Sequence, residues 1–472
     1  MGYSEILCHI CGVSFNISRI RTEHEPPSAA WSNTGDGVEP FVTTNESLEL
    51  SRCVVDDCYF VRRSRDESQD DREQTPGSHP ERWPQPGIFE VAAEADENEE
   101  IDMGIPEDGE EGGWEHIAGP FCQVNTGYSG QNISVEAMRG CNTAQCLVPK
   151  PDGWVPESGD QPLEISGDYF LSGLSDCMQS RDGGYTTFFP RRHGIDTPPA
   201  DNYLFSTDRN TLAMPFHPTC LEIFKRATLS RYGVVDVDCL MSWWQLEWHW
   251  DMFNNFPRHP SWRSAKAQWW QHNTGDEFFA ANPCFVPELR ALISSSKLSR
   301  VLQVGPERSL RIGGIFAKLR PATDIFTKLP LEVRCSIVSH IRISDLAELR
   351  QASSSFDALP QFVFFEMLTH EMPWFYEAWC SLPISRWATT TASKLKEGEQ
   401  PDDLQMEALS GAATNWEYLA TELVRLETEA PGLKNRKRIW TDCQQILKRV
   451  DKYRRDGIKP RQLESIVAGT IS

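Results

Sequence analysis

The chain lacks an apolar run of about 18 residues, the length that marks a membrane-spanning helix, so no transmembrane segment is expected. Residues 1–6 lack a basic stretch leading into a long apolar region, so no secretory signal is expected. Ile6 stands where N-myristoylation needs a small hydroxyl after Met1-Gly2. Positive charge is short: 46 Lys and Arg stand against 68 Asp and Glu, a formal net charge of −22. Such a surface repels phosphates, which argues against a nucleic-acid or anionic-membrane partner. Also missing are a Gly-x-Ser-x-Gly elbow, a phosphate-cradling P-loop and a His-Glu-x-x-His metal motif. The 11 histidines are scattered, no catalytic residue is assigned, and the chain is expected not to be an enzyme. Leucine-rich, WD-type and kelch repeats are absent too, so no substrate-reading surface can be named.

Cysteine is not scarce. Fourteen of them in a chain expected in the cytoplasm and/or nucleus should be mostly reduced, so close pairs read as metal ligands rather than disulfides. Cys8-His9-Ile10-Cys11-Gly12 is half of a zinc knuckle, two thiolates on a tight turn with amides free to bond the sulfurs. Its partners are sought among Cys53 and Cys58, Cys141 and Cys146, and His217 and Cys220. The H-x-x-C spacing of His217-Pro218-Thr219-Cys220 supplies two ligands from a turn or helix start. The first choice is therefore a structural zinc held by Cys8, Cys11, His217 and Cys220, against the plainer reading of buried thiols and a core histidine. The looser Cys53-x4-Cys58 and Cys141-x4-Cys146 pairs read as ordinary buried cysteines.

Composition shifts along the chain mark its parts. Between Glu94 and Glu111 nothing is basic, and the prolines and glycines around Pro76-Gly77 and Pro84–Gly87 precede that run. Residues 64–118 are thus expected to be a disordered acidic insert, unable to offset ordering entropy by burial. Globular character returns after it, with Ser134 capping a short helix that ends at Gly140. Trp243, Trp244, Trp248, Trp250, Trp262, Trp269 and Trp270 crowd one stretch and read as core rather than as an exposed platform. Ser294-Ser295-Ser296, Gly305-Pro306 and Gly313-Gly314 mark a linker over 294–323. Further on, helices are expected over about 401–428 and 433–455, separated by Pro431-Gly432 as an αα-hairpin. Lys434, Arg436, Lys437 and Arg438 read as a solvated basic face rather than a nuclear-import signal.

Residues 324–365 organise the rest. Leu329-Pro330 sets a helix start, and Val333, Ile337, Val338 and Ile341 follow along one helical face. Ser344 is a natural N-cap with Asp345 behind it, and Leu346, Leu349 and Ala352 give the second helix a stripe. Three helices of this size bury too little surface to stand alone and lean on a neighbour or partner. The run of Leu329-Pro330, Glu332, Val333, Ile337, Val338, Ile341, Asp345-Leu346, Arg350, Ser353 and Phe356 resembles an F-box. It departs from the pattern at Ile341-Arg342-Ile343 and at Cys335-Ser336. The resemblance implies docking on the Skp subunit of an SCF-type ubiquitin ligase, and through it on a cullin. The face implied is Leu329, Pro330, Val333, Ile337, Ile341, Leu346 and Leu349.

Cys8–Ile17, Ile133–Cys146 and Phe216–Phe224 are likewise similar to the N-terminal region of a large group of fungal F-box proteins. The expected architecture is α+β and multidomain. An N-terminal α+β domain (1–63 and 119–293) precedes the linker, an all-α F-box (324–368) and a helical region (369–472). The implied role is that of a non-catalytic adaptor recruiting an unidentified protein substrate. The alternative is a zinc-stabilised interaction protein with no part in ubiquitin transfer.

Overall fold

The computed structural model describes residues 7–31, 58–64, 112–122, 127–176, 213–247, 255–267, 275–297 and 324–458. These residues form a mixed α/β structure with short strands first and helices after. Strand β1 (Arg19–Ile20) pairs in parallel with β4 (Tyr128–Ser129). Strands β2 (Tyr59–Ser64) and β3 (Gly112–Ile117) form an antiparallel ladder with Tyr59 opposite Ile117 and Ser64 opposite Gly112. A third sheet has the order β6 (Tyr169–Leu171), β5 (Gln145–Pro149), β7 (Met214–Phe216), with β5 antiparallel to both neighbours.

Two short helices, α1 (Val135–Met138) and α2 (Pro162–Ser166), decorate the sheets. Ser134 accepts from the Ala137 N–H and caps α1 as the sequence predicts, and Gly140 follows with φ 77°. Helix α3 (Pro218–Tyr232) begins directly after β7, with proline at its first position and Gly233 at φ 76° ending it. Helices α4 (Asp238–Glu247), α5 (Pro260–Ala267) and α6 (Pro287–Ser295) complete this half.

The later residues form α7 (Leu331–Val338), α8 (Leu346–Ala352), α9 (Gln361–Glu371), α10 (Ala392–Lys396), α11 (Trp416–Glu429) and α12 (Pro431–Arg455). Helix α12 packs on α3, α4 and α11, and α11 packs on α6 and α9. One continuous apolar cluster runs from Leu7 to Val450. The described residues of the N-terminal and C-terminal regions therefore share a core. Ile439, Cys443, Ile446, Leu447 and Val450 place the apolar stripe of α12 in it, each large aliphatic contributing about 1.5–3 kcal/mol by leaving water.

Several expectations need correction. The insert expected over 64–118 is shorter, because Ser64 ends β2 and Gly112–Ile117 is β3. Glu115, within those bounds, is buried and receives hydrogen bonds from Arg21 at 2.8 and 3.1 Å. The acidic run 94–111 itself lies outside the described residues. The helix expected from 401 begins only at Trp416, where the Asn415 side chain accepts from the Tyr418 N–H. Before it the chain is irregular, with Leu404 bridged to Ile384. Ser344 does not cap α8: its hydroxyl bonds Asp345, and a 3-10 turn over Ile343–Asp345 leads into the helix instead.

The basic cluster divides, with Lys434 and Lys437 exposed as read. Arg436 and Arg438 are buried, Arg436 bonded to Glu377 at 2.9 Å and to the Pro283 carbonyl at 2.6 Å. Of the tryptophans, Trp243, Trp244 and Trp262 are core, as read, while Trp248, Trp250, Trp269 and Trp270 fall outside the described residues.

Candidate metal centre and docking face

The N-terminal knuckle is a tight reversal in which Cys8 N–H bonds the Val13 carbonyl at 2.9 Å and Gly12 N–H bonds the Cys8 carbonyl at 2.7 Å. Gly12 takes φ 76°, a left-handed conformation that suits glycine. The knuckle is tied to β7 by His9 N–H to the Pro215 carbonyl at 2.9 Å. Residues 217 and 220 leave β7 and enter the first turn of α3, so the strand that holds the knuckle also delivers the second pair of donors.

The result is that Cys8, Cys11, His217 and Cys220 are all buried, with their ligand atoms within 4.8 Å of one another. Cys11 Sγ lies 3.5 Å from His217 Nδ1, and Cys220 Sγ lies 3.8 Å from it. Thiolates at about 2.3 Å and an imidazole at about 2.0 Å around a tetrahedral ion would stand about 3.6 Å apart. Backbone amides of Cys11 and His217 point at Cys8 Sγ (3.5 and 3.4 Å), and that of Val13 points at Cys11 Sγ (3.5 Å). Amide donors of this kind suit sulfur that carries negative charge.

Electrostatics agree with that arrangement. Burial raises the Cys11 thiol, but hydrogen bonds with Cys220 and Cys8 and the charge on His217 pull it well below its ordinary value. Burial lowers His217, yet the Cys8 and Cys11 sulfurs raise it to about 10. Cys220, by contrast, is pushed up by burial and by the neighbouring sulfurs. Three sulfurs and one imidazole gathered in this way could hold a metal ion, which would displace their protons on binding. A cavity of about 20 Å³ adjoins Cys11, His217 and Cys220, room for a single water and not for a substrate.

Outside this cluster the other cysteine candidates separate. Cys146 is buried in β5, and Cys141, pushed up to about 12 by burial, bonds Asn142. Cys53 lies outside the described residues. Cys58 stands with two residues that sequence reading missed, His116 and Cys122, their ligand atoms within 4.8 Å. The H-x5-C spacing of His116 and Cys122 was the available signal. It lay across the acidic segment from Cys58, with His116 among the residues taken as disordered and Cys122 just beyond them.

The three-helix unit is braced from within by Asp324, Arg350, Ser353, Ser355 and Phe356. Asp324 accepts from the Phe326 N–H (2.9 Å) and from the hydroxyls of Ser353 (2.6 Å) and Ser355 (3.0 Å). Arg350 Nε donates to the Phe356 carbonyl at 3.1 Å, and Phe326 meets the buried Phe356 edge-on at 5.3 Å. Pro330 sits one place earlier than expected, as the N-cap residue of α7. The predicted docking residues divide. Leu346 is buried and belongs to internal packing, which corrects its assignment to the face. Ile337, Ile341 and Leu349 are half-buried against the core. Leu329 is half-buried, while Pro330 and Val333 are exposed. Ile325 and Leu331, which the sequence reading left out, are exposed as well, at 71% and 39%, beside Val333 at 42%.

No family model matches the chain, and neither a curated protein nor a solved structure matches it.

Proposed function

We propose that the chain is a non-catalytic adaptor that docks its F-box-like helices on a Skp subunit and presents a protein substrate to a cullin-based ubiquitin ligase. The observation that carries this reading is the division of apolar residues in 324–365. Phe356, Leu346 and Val338 are buried, whereas Ile325, Leu331 and Val333 stand in solvent from one short segment at the start of α7. Exposed large aliphatics grouped in this way suit a partner groove. The adaptor acts by proximity, raising the effective concentration of substrate lysines near a charged ubiquitin carrier.

The Cys8–Cys11–His217–Cys220 cluster fits a structural zinc ion. Three sulfurs and one nitrogen are the donors such an ion takes, all four are buried, and no coordination position is left for a reactant. Its role is to fasten the N-terminal knuckle to α3.

The test is co-purification with the Skp subunit, comparing wild type with Leu331→Glu/Val333→Glu. These are surface changes, expected to alter stability by no more than about 0.5 kcal/mol each. Capture by wild type and loss in the variant supports the adaptor role. Failure of folded wild type to bind overturns it and leaves a zinc-stabilised interaction protein outside ubiquitin transfer.

A further inference from the structure

We infer that Cys58, His116 and Cys122 form a second metal site, taking a zinc-class cation at the base of the β2–β3 hairpin. Cys58 immediately precedes β2, and His116 lies on β3 opposite Phe60. The antiparallel register therefore fixes their approach whether or not a metal is bound. Cys122 is returned to them by a tight turn in which its N–H bonds the Gly119 carbonyl at 3.1 Å. Its sulfur stands 3.9 Å from His116 Nε2, close to the separation of about 3.6 Å expected between thiolate and imidazole on one tetrahedral ion. Gly119 N–H also points at Cys58 Sγ at 3.3 Å, the same amide-to-sulfur contact that marks the first cluster. Ala118 and Ile20 form a small core against which Cys122 packs, and Ala118 is bridged to Thr22. The donors thus sit on a supported framework.

Two thiolates and an imidazole select a borderline-soft ion such as Zn²⁺ over Mg²⁺ or Ca²⁺. The site differs from the first in two respects. Among the described residues it offers three protein donors to a tetrahedral ion, and two of them are only half-buried. Its place also gives it a consequence. Residues 65–111 join the far ends of the ladder, Ser64 and Gly112, while the metal would clip the near ends together. Closing that long connection at its base removes chain entropy from the unfolded state.

The full-length, reduced chain is treated with iodoacetamide with added zinc and with chelator, and each cysteine is mapped by mass spectrometry. Zinc is expected to slow labelling of Cys58 and Cys122 together, and chelator to restore it. In His116→Ala that protection is expected to vanish while protection of Cys8 and Cys11 persists. Equal labelling of Cys58 and Cys122 in both conditions, or their recovery as a disulfide, overturns the proposal. The wild-type comparison stands on its own if the variant does not fold.

Discussion

Arg438 Nη1, on the C-terminal helix, donates to the carbonyl of Cys11 at 2.9 Å. The guanidinium is buried, also bonding Asn435 Oδ1 at 2.8 and 3.0 Å and Asp442 at 3.4 Å. Asp442 in turn meets Arg258, which donates to the Ile10 carbonyl at 2.8 Å. The carbonyls of the N-terminal knuckle are thus held by side chains from α12 and from the segment entering α5. Burial pushes the Asp442 carboxyl up to about 6 against the pull of both arginines.

Arg438→Ala is expected to destabilise the whole chain by about 3 kcal/mol, because it leaves buried acceptors without a donor. Chemical denaturation checks this. A change within about 0.5 kcal/mol, typical of a surface position, would show that α12 does not hold the knuckle.

Gly12→Ala is expected to cost about 1–3 kcal/mol and to loosen metal binding, since φ is 76° there. An added Cβ would also come within 2.5 Å of Trp262 Nε1 and 2.7 Å of Arg258 Nε. Thermal melting of the variant with and without added zinc reads both effects.

Metal removal should lower the melting temperature of wild type, because ligand binding to the folded state alone stabilises it. Cys11→Ser is expected to melt below wild type in either condition and to respond less to chelator, keeping only the share contributed at Cys58, His116 and Cys122. A chelator-insensitive wild type would mean that Cys8, Cys11, His217 and Cys220 are simply buried thiols and a core histidine.

The first cluster was legible because both halves keep short spacing, C-x-x-C and H-x-x-C, whatever the fold does between them. The second was not, because its donors are joined by strand register across a long intervening segment, a relationship spacing alone cannot encode. The start of α3, the cap at Ser134 and the helix after Leu329-Pro330 followed from local rules, whereas α12 starts at Pro431, inside the break expected before residue 433. Local rules failed where long-range packing decided the outcome. Arg436 and Arg438 look like a solvated face only until Glu377, Asn435 and the carbonyls of Pro283 and Cys11 are brought against them. The shared core of the two halves was hidden for the same reason.

Asp324 ties the three-helix unit together through its carboxylate. The Ser353 hydroxyl foremost, then the Phe326 N–H and the Ser355 hydroxyl, hold its carboxyl below the ordinary 3.8 despite some desolvation. A lowered folded-state value means this contribution is present in full above the unfolded pKa and is lost as pH falls through the folded one. The unit should therefore loosen below about pH 4. Asp324→Asn should loosen it at neutral pH and remove that acid dependence. Amide exchange over residues 325–356 between pH 3 and 7 checks both, and identical profiles for variant and wild type would contradict the bracing role.

The most direct measurement is hydrogen–deuterium exchange of the full chain with and without purified Skp subunit. The adaptor account predicts protection concentrated over residues 325–341, and its loss in Leu331→Glu/Val333→Glu. Unchanged exchange there in folded wild type at saturating Skp subunit would contradict it.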